Sequence, residues 1–222
     1  MSEKPAIDQY LIAICQLIID EFNVLYADKS KDQLNNIAND KFTETDLVVR
    51  IGYPFKQMAH YTRGEGGNDK ATKTNHDLVV ESKDFMIEVK YLKTWGNSSA
   101  KNWGRYQEDF DWLFSEIDSD KKDNKKGKRA FVIGWFNCVE YFSKLLQLGK
   151  ASGAKPIIKE EKVCYFPFLE NVTANTLTSD LSIVYTEAYH SQPVKLIGNT
   201  NRDCECMFLG NKTDKFHFAI YY

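Results

Sequence analysis

The stretch HDLVVESKDFMIEVKYL, His76–Leu92, predicts two short strands joined by a tight turn. Successive side chains of a strand point to opposite faces, so one face of this hairpin is apolar and the other carries charge. The charged face includes Asp77, Glu88 and Lys90. Two explanations are open at this point: a sheet face exposed to solvent, or a metal-dependent catalytic site.

The pairing of the two strands depends on the turn. If Lys83 and Asp84 form a two-residue turn, a common hairpin length, Asp77 lies directly opposite Lys90. Glu88 is then diagonal to Asp77, at about 7–8 Å. Two carboxylates so placed can bind one Mg²⁺, which takes oxygen ligands and keeps several waters. The Lys90 ammonium would position or help to deprotonate an attacking water, or neutralise charge developing on a phosphate.

The chain before the hairpin is predominantly helical in pattern. Apolar residues at helical spacing predict a helix over 6–26. Ser30 and Gln33 stand in capping-box register, and Thr43 with Asp46 forms a second N-cap pattern. The following LVVRIGYPF is ambiguous between helix and strand, and Pro54 predicts a break near it.

After the hairpin, apolar residues from Trp103 to Ile117 predict a helix with one apolar face. AFVIGWF (130–136) predicts a strand covered on both sides, and a helix is expected over 139–148. Beyond residue 150, VCYFPFL, LSIVYTEAY and FHFAIYY predict strands. We therefore expect an α/β core over 1–150, with N-terminal helices, and a β-rich extension over 151–222 packed on it as one domain.

The order Asp77, ten residues, then Glu88-Val89-Lys90 in an apolar strand resembles the PD-(D/E)XK nuclease superfamily, which includes many restriction endonucleases and Holliday-junction resolvases. The resemblance implies a restriction-endonuclease-like core: a helix, a three-stranded antiparallel unit, a helix and a fourth strand. The sequence from about Ser30 to Phe136 is compatible with that order. The first strand would lie around 57–63, and His76 stands where the family name has proline.

The resemblance also implies roles for individual residues. Asp77 and Glu88 would bind the metal, with a backbone carbonyl near Val89 as a further ligand, and Lys90 would be the catalytic lysine. Gln107, on the helix after the hairpin, would orient the site. A further acid on the first core helix is common in the family. Glu44 suits that role by its chain order and Glu21 by its place in a helical stripe, and both alternatives stay open.

Phosphate contacts require basic side chains near the site. The candidates are Lys93, Lys101 and Arg105, together with the run KKDNKKGKR (121–129), for which a solvated loop is an equal alternative. The net charge of −2 and a pI near 6.1 exclude a strong overall basic excess, so any DNA contact must be local.

The remaining features point to an ordinary intracellular protein. No apolar run approaches the roughly 20 residues that span a bilayer, and the first residues lack the pattern of a signal peptide, so a cytoplasmic location is expected. Five cysteines suit a reducing compartment. Cys204 and Cys206 with His217 would supply only three zinc ligands, which favours a structural role for them.

The sequence thus predicts a hydrolase: a Mg²⁺-dependent DNA endonuclease of restriction or defence/repair type, with Mn²⁺ able to substitute. A homodimer would match the two-fold symmetry of duplex DNA. The alternative from another class is a non-catalytic interaction protein that retains the fold, such as an inhibitor, an immunity-type partner or a DNA-binding module.

Overall fold

The computed structural model describes residues 7–56, 59, 77–92, 99–122, 128–138, 163–170, 182–185, 191–195 and 204–222, with backbone alone at 99–104, 120, 121, 170 and 182. The described helices are α1 (Ile7–Leu25), α2 (Lys31–Asn36), α3 (Glu44–Gly52) and α4 (Ser99–Lys122).

The capping box predicted at Ser30 and the N-cap predicted at Thr43 are both confirmed. The Ser30 hydroxyl accepts a hydrogen bond from the Gln33 N–H at the start of α2, and the Gln33 side chain accepts one from the Ser30 N–H. Thr43 and Asp46 make the same reciprocal pair at the start of α3. The ambiguous segment is helical as far as Gly52 and continues into a 3-10 turn, Tyr53–Phe55. Because the cap at Thr43 fixes where α3 begins, it also fixes the position of Glu44, the first residue of that helix.

The described strands are β1 (Leu78–Val80), β2 (Phe85–Tyr91), β3 (Lys128–Phe136), β4 (Leu169–Glu170), β5 (Ser182–Ile183), β6 (Ser191–Pro193), β7 (Glu205–Leu209) and β8 (Phe216–Tyr221). Six of them form one sheet in the order β1-β2-β3-β8-β7-β6, and β4 pairs with β5. β2 and β3, which flank α4 in the chain, are parallel; the other pairs are antiparallel. The described residues therefore form an α/β fold with a mixed sheet, as the sequence predicts.

β3 lies in the middle of the sheet and is covered on both faces. Ala130, Val132 and Phe136 belong to a core cluster with α1 and α3. Phe131, Ile133 and Trp135 belong to a second cluster with α4. This arrangement confirms the prediction of a strand that is apolar along its whole length, because both faces are dry.

The strand predictions after residue 150 are only partly right. FHFAIYY contains β8, which pairs directly with β3. In VCYFPFL, however, residues 163–168 do not form a strand, and 164–168 lie in turns and irregular backbone. Pro167 has no N–H for a strand ladder, and the nearby aromatic side chains are buried in the second cluster instead. In LSIVYTEAY the described strand is the short β5. Strand β7, which contains Cys206, was not predicted from the sequence.

Two further predictions lie outside the described residues. These are the strand at 57–63, apart from Ala59, and the helix at 139–148.

Gly134 of β3 allows a close approach of neighbouring elements. A Cβ at this position would lie 2.8 Å from Leu47 Cδ2 of α3 and 2.8 Å from Phe216 Cε1 of β8. We expect Gly134→Ala to lower the free energy of unfolding by about 1–3 kcal/mol, measured by chemical denaturation, because the core must expand. In a Phe216→Leu background the loss should be smaller, since leucine lacks the contacting ring atom. An equal loss in both backgrounds would contradict the steric explanation.

Candidate active site

The hairpin loop has four residues, not two. β1 and β2 pair with Leu78 opposite Ile87 and Val80 opposite Phe85. Glu81–Lys83 form a turn of 3-10 helix, and Asp84 follows in the left-handed region with φ of 57°. Aspartate tolerates this conformation better than most residues. The predicted Lys83-Asp84 turn is therefore wrong.

The longer loop changes the partner of Asp77. Extending the observed register by one residue places Asp77 opposite Glu88 instead of Lys90. Because the register differs by two residues, the division into an apolar and a charged face is unchanged. The Asp77 Oδ2 also accepts a hydrogen bond from the Val89 N–H at 2.8 Å, which fixes this carboxylate against β2.

Lys90 lies between carboxylates from two helices. Its Nζ is 3.1 Å from Asp109 Oδ2 of α4 and 4.0 Å from Glu44 Oε1 of α3. The other oxygen of Glu44 accepts a hydrogen bond from the Tyr91 N–H at 3.2 Å. We call Lys90 and the four surrounding acids the Lys90 cluster; its acids are Glu44, Asp77, Glu88 and Asp109.

Three members of the Lys90 cluster are largely removed from solvent, whereas the Glu44 side chain is 42% exposed. Glu88 is 6% exposed, and the side chains of Lys90 and Asp109 are 18% and 16% exposed. Charged groups on a solvated sheet face would remain accessible to water, so the first of the two explanations for the hairpin charges is contradicted. Buried charges of this kind cost free energy unless they are paired, and they are concentrated at functional sites.

Burial and mutual repulsion raise the pKa values of two acids in the cluster. Burial raises the pKa of Asp77 to about 7; the hydrogen bond from Val89 opposes this, and the charge of Glu88 adds to it. Burial raises the pKa of Asp109 to about 6 against the opposing charge of Lys90. Each acid therefore holds its proton more tightly than an exposed aspartate does.

Burial alone would lower the pKa of Lys90. The charges of Asp109, Glu44 and Asp77 outweigh that effect and leave the pKa of Lys90 above its ordinary value. The Lys90 amine is consequently a cation at neutral pH.

The donor set fits a hard divalent cation. Asp77 and Glu88 supply carboxylate oxygens from adjacent strands, and one or two carboxylates are sufficient for Mg²⁺, which retains waters. The charge of Glu88 helps to raise the pKa of Asp77, a repulsion that a bound cation would offset. Within the described ranges, no group of three or more His, Cys, Asp or Glu side chains is arranged to hold a metal ion.

The structure distinguishes the two candidates for the further acid. Glu44 interacts with Lys90, whereas Glu21 pairs with Arg50 between α1 and α3. Of the two candidates, Glu44 is therefore the one that contacts the hairpin.

Gln107 is exposed on α4, and its role in orienting the site stays a prediction. Asp109 of α4 belongs to the cluster, and Tyr106 of the same helix lies close to it: burial raises the pKa of Tyr106, and the charges of Glu44 and Asp109 add to this effect. Asp109 was not predicted from the sequence, although it directly precedes the buried Phe110 on the apolar face of the same helix.

The basic residues predicted to contact phosphate lie in different environments. Arg105 is exposed on α4, while Lys93 and the side chain of Lys101 lie outside the described residues. The last two residues of the basic run hold the hairpin loop. Lys128 Nζ donates to the Lys83 carbonyl at 3.0 Å, and Arg129 Nη1 donates to the Asp84 carbonyl at 2.9 Å. Lys128 and Arg129 are therefore not part of a solvated loop, because each donates a hydrogen bond to a carbonyl of the hairpin loop.

Cys204, which precedes β7, Cys206 of β7 and His217 of β8 are all buried. The His217 Nε2 lies 2.9 Å from the Asn211 carbonyl, and burial lowers the pKa of His217 to about 4. This environment fits the structural role that the sequence favours.

Comparison of the chain with protein-family models, with curated proteins and with solved structures gives no match. No helix in the described part of the chain is both long enough and apolar enough to cross a membrane.

The raised pKa of Asp77 predicts a pH-dependent stability. As pH rises from about 4 to about 7, the unfolded chain loses the Asp77 proton while the folded protein retains it, so this group progressively reduces stability. In EDTA, Asp77→Asn should therefore match the wild-type Tm near pH 4 and exceed it by about 3–6 °C at pH 7.5. Calorimetric scans of both proteins across this range measure the difference in Tm. Groups that titrate identically in both proteins cancel in this comparison. Asp111→Asn, on the exposed face of α4, is the control. A difference that does not vary with pH would contradict the explanation.

Proposed function

We propose that this protein is a Mg²⁺-dependent hydrolase of phosphodiester bonds, and specifically a DNA endonuclease of restriction or defence/repair type. The observation that carries the proposal is the Lys90 cluster. A cationic lysine, two residues after a buried glutamate, lies among acids from a hairpin and two helices. A purely structural sheet face has no need for so many partly buried charges.

The order of elements supports a restriction-endonuclease-like core. Helix α3, the antiparallel pair β1 and β2, helix α4 and strand β3 follow one another in the order that the PD-(D/E)XK resemblance implies. The first strand of that core would fall on residues outside the described ranges. Glu44 lies on the first helix of this unit, and Asp77, Glu88 and Lys90 lie on its hairpin, which is the distribution expected of the family.

Asp77 and Glu88 would hold the cation, with the Val89 carbonyl as a further oxygen ligand. A divalent cation supplies two effects when bound: it stabilises negative charge on the phosphate and increases the acidity of water. The protein's own part is to keep the two carboxylates side by side. The hydrogen bond from the Val89 N–H to Asp77 serves this purpose.

Lys90 acts as a charged group in this mechanism. Because its pKa is raised, it is protonated at neutral pH and cannot accept a proton from water in that state. Of the roles considered, neutralising charge on the phosphate and positioning the attacking water are therefore the ones its environment favours. The exposed Arg105 on α4 is available for a backbone phosphate of the same DNA strand.

The test uses purified protein with supercoiled plasmid and linear single strands in Mg²⁺, Mn²⁺ or EDTA. We expect metal-dependent cleavage that falls at least ~100-fold in Glu88→Gln, because one of the two carboxylates that would hold the cation is lost. Glu81→Gln alters an exposed glutamate in the loop of the same hairpin and should retain wild-type activity. A folded wild-type protein that neither cleaves nor binds Mn²⁺ in calorimetry would contradict the proposal and favour the non-catalytic interaction protein.

Lys90→Met separates metal binding from catalysis. We expect kcat to fall about 100-fold, since the charge facing the phosphate is removed. The affinity for Mn²⁺ should be at least that of the wild type, because a positive charge beside the carboxylates has gone. Calorimetric titration with Mn²⁺ measures the affinity in the absence of substrate. Loss of Mn²⁺ binding in a folded Lys90→Met protein would make Lys90 a support for the carboxylates and would refute its assigned role.

A further inference from the structure

The ion pair between Lys90 and Asp109 joins β2 to α4. Its atoms are 3.1 Å apart, and both side chains are largely buried. The Glu44 carboxylate is farther from the ammonium, at 4.0 Å, and one of its oxygens is engaged by the Tyr91 N–H. Asp109 is therefore the principal partner of Lys90.

Asp109 is held by a rigid part of the fold. The adjacent Phe110 is fully buried. Its ring lies 4.9 Å from that of Phe131 in β3 and 4.8 Å from that of Tyr221 in β8. A carboxylate on a helix anchored to two strands has little freedom to move, which is the condition for orienting another side chain accurately.

We propose that Asp109 is a positioning residue that orients the Lys90 ammonium for the reaction. This inference rests on the proposed nuclease function. A lysine side chain has a flexible four-carbon stem, so its charged end can turn toward any nearby acid. Without Asp109, the ammonium can turn toward Glu44 and away from the phosphate that a cation held by Asp77 and Glu88 would bring into place.

Asp109→Asn is the principal test. It keeps the shape of the side chain and removes its charge. We expect kcat to fall about 10–100-fold, the effect typical of residues that orient catalytic groups, with KM nearly unchanged. Asp109→Glu should recover part of kcat, because it restores the charge, and Asp111→Asn should behave as the wild type. If Asp109→Asn merely weakened the fold, the amount of folded protein would fall and Asp109→Glu would not restore kcat.

A double-variant comparison shows whether Asp109 acts through Lys90. In a Lys90→Met background, Asp109→Asn should reduce kcat no further, since the group that it positions is absent. A full additional loss would overturn the proposal and show that Asp109 acts independently. Wild-type kcat in Asp109→Asn would overturn it as well.

A spectroscopic measurement reports the contact without any substrate. The ammonium signal of Lys90 in a ¹H–¹⁵N correlation spectrum, assigned with Lys90→Met, should move in Asp109→Asn and stay in place in Asp111→Asn. An unmoved signal in Asp109→Asn would overturn the role of Asp109. Absence of cleavage by the wild type would instead overturn the nuclease function, and the positioning role of Asp109 with it. Failure of the nuclease function is therefore distinguishable from failure of the role of Asp109 alone.

Discussion

The dry environment of β3 is the constraint on which the rest of the structure depends. A strand without polar side chains over 130–136 is stable only where both faces and both edges are occupied. β2 and β8 occupy its edges, α1 and α3 cover one face, and α4 covers the other. This arrangement also brings α3 and α4 to the hairpin from two sides. The site therefore follows from the burial of an apolar strand that contributes no charged group to it.

Local patterns predicted most of the elements around the site. The caps at Ser30 and Thr43 and the two faces of the hairpin depend on neighbouring residues alone, and the structure agrees with them. The register of the hairpin depended on the turn. The left-handed Asp84 and the hydrogen bond from Arg129 to its carbonyl belong to a four-residue loop held from β3. A pattern of neighbouring residues cannot predict an interaction between residues so far apart in the sequence.

The partners of Lys90 illustrate the same limit. The sequence identified Asp77, Glu88 and Lys90 as one group, because strand geometry brings them together over a short segment. Asp109 and Glu44 reach the lysine through packing of separate helices, and residue spacing alone could not select Asp109 over Gln107. The short C-terminal strands were harder still. Pro167 interrupts one apolar run, and burial of its aromatic residues does not require a strand.

The position of β8 has a consequence for how the chain folds. Phe131 of β3 pairs with Tyr221, so the central strand receives one of its two neighbours from a segment far along the sequence. During synthesis, the hairpin, α4 and β3 leave the ribosome well before this strand exists. The edge of β3 must then stay unpaired, and such long-range pairings fold slowly. An apolar strand with an open edge is a target for aggregation and for chaperones. Among the described strands, β8 is made after all the others, and it thus closes the sheet that supports the acids and lysine assembled ahead of it.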